Sequence, residues 1–305
     1  MKRIYFFRAF IFSIITIFIL VSCEDVVQVD LNDENLDLVA VEAYLDNRSA
    51  DNVYVKLVRS LPVDDSQQNP AISDAIVEVF DMGSAANIVT LEEVGNTGVY
   101  RLQKNTSYKV VPGHKYQLKI TLPDGVVITG SDYLERVETL DSVKVNLSAR
   151  GDFEFLAVFI SSQETPGPGN FYKWDIYINK RLLYEAGNLA FASDELVDGN
   201  YIYNFEIFTD FYEDEEDKIL QLGDTIYVEQ LSISQTAYDY YLGMVNQAFT
   251  GGPFSVPPAN LPGNLTSSDG KKVLGLFSAR DVSMGNQVII GSENFTPVSY
   301  NFSEE

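Results

Sequence analysis

The sequence has 305 residues, 46% of them hydrophobic, with 21 basic against 44 acidic residues and a formal charge of −23. A body this acidic is repelled by phosphate backbones and anionic head groups, which argues against nucleic-acid binding and against electrostatic attachment to a membrane. The single cysteine, Cys23, allows no disulfide within the chain, so the fold must rest on its hydrophobic core.

The chain opens on Met1–Arg8, which holds Lys2, Arg3 and Arg8 and no acid, followed by Ala9–Val21, apolar except for Ser13 and Thr16. That apolar run is shorter than the roughly 20 residues a membrane-spanning helix needs. A basic segment before a short apolar one reads as a secretory signal over residues 1–22. Leu20-Val21-Ser22-Cys23 resembles the bacterial lipobox, so cleavage is expected after Ser22, with the Cys23 thiol carrying the lipid. Several acyl chains at one site give stable anchoring where one is marginal. Without residues 1–22 the chain has 18 bases against 44 acids, a charge of −26, which leaves the lipid as the expected membrane attachment. Glu24-Asp25, directly after Cys23, resembles the acidic tether of surface-exported Bacteroidota lipoproteins. Residues 23–36 are then an acid-rich tether without core periodicity.

A first β-sandwich is expected over residues 37–135. Its strands include Val53–Val58, Ala75–Phe80, Gly98–Leu102, Tyr116–Thr121 and Val126–Thr129, separated by turn signals such as Asp81-Met82-Gly83 and Pro123-Asp124-Gly125. Tyr116, Leu118 and Ile120 share one face, the period-two pattern of a half-buried strand. A second β-rich domain is expected over 136–305. Val143, Val145 and Leu147 alternate with polar residues, and Phe153–Ile160 reads as a central strand. After the turn Pro166–Asn170, Tyr172, Trp174, Ile176 and Ile178 lie on one face, opposite Lys173, Asp175 and Asn179. Further strands are expected at Tyr201–Phe208, Thr225–Ile233 and Lys272–Phe277. One segment, Gln235–Phe249, has helical period: Tyr238, Tyr241, Leu242, Val245 and Phe249 form an apolar stripe that is expected to pack on a sheet. Ser234 is its expected N-cap, and Gly251-Gly252-Pro253 stops it. The fold class is therefore mainly β, two sandwich-type domains with one amphipathic helix on the second.

Residues suited to catalysis are sparse. His114, the one histidine, sits in a turn before a strand without a nucleophile-elbow motif, and reads as an exposed turn residue. Zinc and other transition-metal sites lack their usual ligands, and no phosphate-cradling glycine loop is present. In the acidic run 210–217, Asp210, Glu213, Asp214 and Asp217 are the candidates for a hard cation, but their spacing does not match a calcium loop, and a solvated loop is expected. Trp174 is expected to fill the core rather than to serve as a stacking platform. The chain is thus expected to be no enzyme and to hold no cofactor, with a glycan hydrolase using two carboxylates as the remaining enzymatic alternative.

Gly252–Leu261, then Asn264-Leu265, then Val273–Ala279 resemble the C-terminal signature of a Bacteroidota lipoprotein family, domain of unknown function 4249. Ser22-Cys23-Glu24, Val55-Lys56-Leu57 before Ser60-Leu61-Pro62, and Val111–Tyr116 agree with it. The first domain also resembles the transthyretin-like, carboxypeptidase-regulatory sandwich. The family resemblance implies an outer-membrane lipoprotein, often encoded beside TonB-dependent receptors, and carries no catalytic residues onto this chain. The expected function is an accessory, ligand- or receptor-binding lipoprotein on the outer face of the outer membrane, partnered by a receptor barrel. The alternative is a structural or assembly protein without a small ligand.

Overall fold

The computed structural model describes residues 38–48, 52–61, 68–84, 88–103, 108–151, 153–209, 211, 220–249 and 261–295. Seven strands come first: β1 (Val39–Asp46), β2 (Val53–Arg59), β3 (Ile76–Asp81), β4 (Ile88–Glu93), β5 (Val99–Arg101), β6 (Lys115–Thr121) and β7 (Val127–Tyr133). The next are β8 (Leu140–Arg150), β9 (Phe153–Gln163), β10 (Phe171–Ile178), β11 (Arg181–Leu182), β12 (Ala190–Ser193), β13 (Tyr201–Phe208) and β14 (Thr225–Ile233). Helix α1 (Gln235–Ala248) follows, then β15 (Leu265–Ser267), β16 (Val273–Arg280), β17 (Val282–Met284) and β18 (Val288–Ile289). All of them belong to one unit spanning residues 37–305. The chain is mainly β, as its alternating patterns predict. Among the described residues, no helix is long and apolar enough to cross a membrane.

The first assembly is a nine-stranded sheet in the order β15-β7-β6-β3-β4-β5-β2-β1-β16, folded around one core. Period-two alternation decides what enters it: Val41, Ala43 and Leu45 of β1, Val55 and Leu57 of β2, and Tyr116, Leu118 and Ile120 of β6 are all buried. Each fully buried aliphatic side chain contributes about 1.5–3 kcal/mol relative to exposure. The two ends of the strand order meet through side chains. Asn264 donates to Phe277 O at 2.7 Å and to Ser131 O at 3.1 Å, and accepts from Phe277 N at 3.0 Å. Asp132 on β7 accepts from Ala279 N on β16 at 2.9 Å. Leu265, beside Asn264, lies against Gly130 so closely that a methyl there would sit 2.7 Å from its Cδ2. The segments Asn264-Leu265 and Val273–Ala279 thus close the first assembly, although they lie within residues 136–305.

The second assembly faces a three-stranded sheet, β13-β9-β8, with a six-stranded sheet built on β11-β10-β14-β17, with β12 paired to β10 and β18 to β14. Val143, Val145, Val158 and Ile160 from the first of these layers share a core with Trp174, Ile176, Ile226 and Val228 from the other. Strand β9 is central in its sheet, as its apolar run predicts.

Strand β10 departs from a simple two-faced pattern. Lys173 and Asp175 are as buried as the apolar face opposite them, at 7% and 5% exposed. They meet the first assembly across a buried ionic junction. Lys173 pairs with Asp175, Arg48 bridges Asp46 at 2.7 Å and Glu229 at 2.6 Å, and Arg280 reaches Asp46 at 3.2 Å. Burial opposes the charge on Arg48, but hydrogen bonding and attraction from Asp46 and Glu229 outweigh it and hold the guanidinium above its usual range. Burial likewise opposes ionisation of Asp175, but Lys173 and Arg280 more than compensate and lower its pKa.

Helix α1 starts as its sequence predicts, with Ser234 Oγ accepting from Ala237 N at 3.3 Å. Its stripe packs only in part. Tyr238 and Tyr241 reach a small cluster with Leu231, Ile233 and Leu276, while Leu242 and Phe249 are 39% and 71% exposed. The helix touches the sheet near its first turns and then runs over the short 3₁₀ turn Ala186–Asn188. His114 also differs from an exposed turn residue: its Nδ1 lies 2.9 Å from the buried Asp81, and its ring covers Gly83.

Candidate functional site

The second assembly is open along one side, where β12 and β13 are the outermost strands of facing sheets. A cleft of about 380 Å³ lies there, within the size range of small-molecule sites. Trp174 and Tyr172 of β10 form its base, Phe191 of β12 and Phe205 of β13 its two sides, and Tyr238 of α1 one end. The rings of Trp174 and Phe205 are 5.8 Å apart, and those of Trp174 and Tyr172 6.4 Å, so the aromatic lining is continuous. Trp174 fills the core, at 5% exposed, and also borders the cleft.

Polar groups at the base are committed to the protein. Gln230 on β14 accepts from Trp174 Nε1 at 2.9 Å and donates to Ser162 Oγ at 3.0 Å and to Glu138 O at 3.3 Å. The Tyr172 hydroxyl donates to Glu164 Oε1 at 2.8 Å. Burial pushes the Tyr172 phenol well above its usual range, and the nearby Glu164 adds to this.

Glu164 belongs to a carboxylate cluster at one end of the cleft. The predicted turn Pro166–Asn170 forms, with Gly167 and Gly169 at φ +118° and +102°. Its amides aim at acids: Gly169 N and Asn170 N donate to Asp194 Oδ2, each at 2.9 Å, and Gly167 N to Asp198 at 2.8 Å. Gly199 N donates to Glu164. One oxygen from each of Glu164, Asp194 and Asp198 falls within 4.8 Å of the others, a donor set of the type hard cations use. The amide bonds also give the three acids a structural task, holding the turn and the 194–200 loop together.

Cys23, the lipidation candidate, and Asp210, Glu213, Asp214 and Asp217, the cation candidates, lie outside the described residues. Glu164 and Asp194, just past strand ends, and Gln230, a polar residue inside the buried strand β14, escaped sequence reasoning, because isolated polar residues carry no periodic signal. The turn Pro166–Asn170 was the one local marker beside them.

Fold and site together define a mainly β, sandwich-type protein with an aromatic cleft between two sheet edges. The family described as Domain of unknown function (DUF4249) matches residues 24–285, and the chain belongs to that family. No curated protein matches it.

Proposed function

We propose that the protein is a lipid-anchored lipoprotein of the outer membrane, facing the cell exterior, that binds a ligand in the β12–β13 cleft as the accessory subunit of a TonB-dependent receptor. The observation that carries the binding role is the cleft itself: a concave, mostly apolar site with few polar groups, the usual form of a small-ligand site. The anchoring rests on Ser22-Cys23-Glu24 and on a charge that disfavours any other hold on a membrane. Isolation of the membrane fraction in mild detergent tests the partnership. A receptor barrel should accompany the protein through affinity purification, and its consistent absence would sink that part of the reading.

An assembly role without a small ligand draws on a different feature. Tyr203 is 76% exposed on the edge strand β13, its ring 4.3 Å from that of Tyr201, and exposed tyrosines are common in protein interfaces. Thermal-shift screens separate the readings, since a ligand that binds only the folded state raises the melting temperature. Reproducible stabilisation by a small molecule favours capture; silence across broad panels favours assembly.

A further inference from the structure

We propose that the cleft takes an organic cation, an ammonium group carried on an apolar body. This rests on the reading of the cleft as a ligand site and names the class of ligand. The lining is aromatic and aliphatic, and its charged members are both acids, Glu164 and Glu195, with no basic residue among the described lining residues. Aromatic faces attract cations through their quadrupoles, and walls of this kind are used for ammonium ligands. Glu164 is 1% exposed and is held by neutral donors, the Tyr172 hydroxyl, the Gly199 amide and the Asn170 side-chain amide. None of the ion pairs among the described residues includes it. A buried carboxylate is costly unless charge and hydrogen bonds compensate it, and a bound cation supplies the charge.

The same lining disfavours the alternatives. An anion would meet two carboxylates on a chain of charge −23. A sugar would bury several hydroxyls where Gln230 and Tyr172 are already hydrogen-bonded to Trp174, Ser162 and Glu164, and each unpaired hydroxyl weakens binding. A cation with one polar head and an apolar body leaves the fewest groups unsatisfied.

Trp174 is the only tryptophan, so the fluorescence of the full chain reports on the cleft directly. Titration with phenethylammonium should give a saturable change, with 2-phenylethanol about tenfold weaker and 3-phenylpropionate weaker still. Glu195 is exposed at the rim, so Glu195→Gln should weaken phenethylammonium about threefold without moving the melting temperature. Glu164→Gln should weaken it more, but it also touches the loop, which is why the rim variant is needed. Equal affinity for the amine and the alcohol, or an unchanged affinity in Glu195→Gln, overturns the cation assignment while leaving the cleft a ligand site. No saturable change with any of the three probes overturns it too; the receptor partnership is judged separately by co-purification. Acetyl-phenylalanyl-lysine amide distinguishes the source: tighter binding than phenethylammonium places the cation on a peptide, weaker binding on a free amine, and either supports the assignment.

Discussion

Asp46 and Arg280 stand opposite each other in the parallel register of β1 and β16, and their side chains close an ion pair at 3.2 Å although 234 positions separate them in the chain. The guanidinium also lies 4.0 Å over the ring of Tyr44. Burial opposes its charge, but Asp175 on β10 and Asp46 together hold its pKa above the usual range. One residue therefore connects the closing strand of the first assembly to the charged face of the second.

Arg280→Met should lower stability by about 3–5 kcal/mol, because it leaves Asp46 and Asp175 buried with less compensation. Urea denaturation measures this. Added salt should change the wild-type midpoint little through this pair, since buried charges are poorly screened. A loss below about 1 kcal/mol would contradict the arrangement.

Gly275 lies opposite Val41 in the same pairing, at φ +100°, and a Cβ there would fall 1.8 Å from Val41 O. Backbone cannot yield as a side-chain tip can. Gly275→Ala should cost about 3 kcal/mol or more through combined strain and clash, seen as a large fall in melting temperature. A wild-type melting curve would show that β16 does not approach β1 as described.

Asp132 provides a pH signature. Burial pushes its carboxyl up to about 6, although the Ala279 amide and Ser234 hydroxyl pull it down. The folded state then binds more protons than the unfolded one between about pH 4 and 6, so this group's contribution to stability falls as pH rises through that window. Asp132→Asn removes the titration. The melting temperature of the variant minus that of the wild type should therefore rise between pH 4 and 6 and level off above it. A flat difference would refute the shift.

Gln230→Leu should strand the Trp174 indole N–H in a buried site, while the Ser162 hydroxyl keeps its bond to Thr139 O. A cost of about 1–3 kcal/mol is expected for that unsatisfied donor, and the emission of Trp174 should shift. Unchanged emission would mean that the hydrogen bond does not form.

Cys23→Ala tests the proposed anchor. The variant should appear in the soluble fraction or stall as an uncleaved precursor. Normal retention in the membrane fraction would overturn lipidation at this position.

Much of the secondary structure could be read in the chain itself. The faces of β6 and β10, the central position of β9 and the Ser234 cap follow from period-two or capping patterns that span a few residues. Strands β1, β4, β11, β12, β15, β17 and β18 lie outside those readings; several are only two or three residues long, too short to show a period. The sequence suggests a half-polar β10, because Lys173 and Asp175 alternate with apolar residues, yet both faces are buried. The helical stripe likewise exceeds the surface it finds, leaving Leu242 and Phe249 exposed.

By itself the sequence determined the β class, the acidic surface and the family, because composition and local periodicity survive without knowledge of partners. The tertiary structure decided which strands pair, and with that the junction at Asp46 and Arg280 and the cleft between β12 and β13. Pairing across 234 positions leaves no periodic trace along the chain. A cleft between sheet edges arises only when distant strands end side by side, so Glu164, Trp174 and Phe205 become neighbours through folding alone.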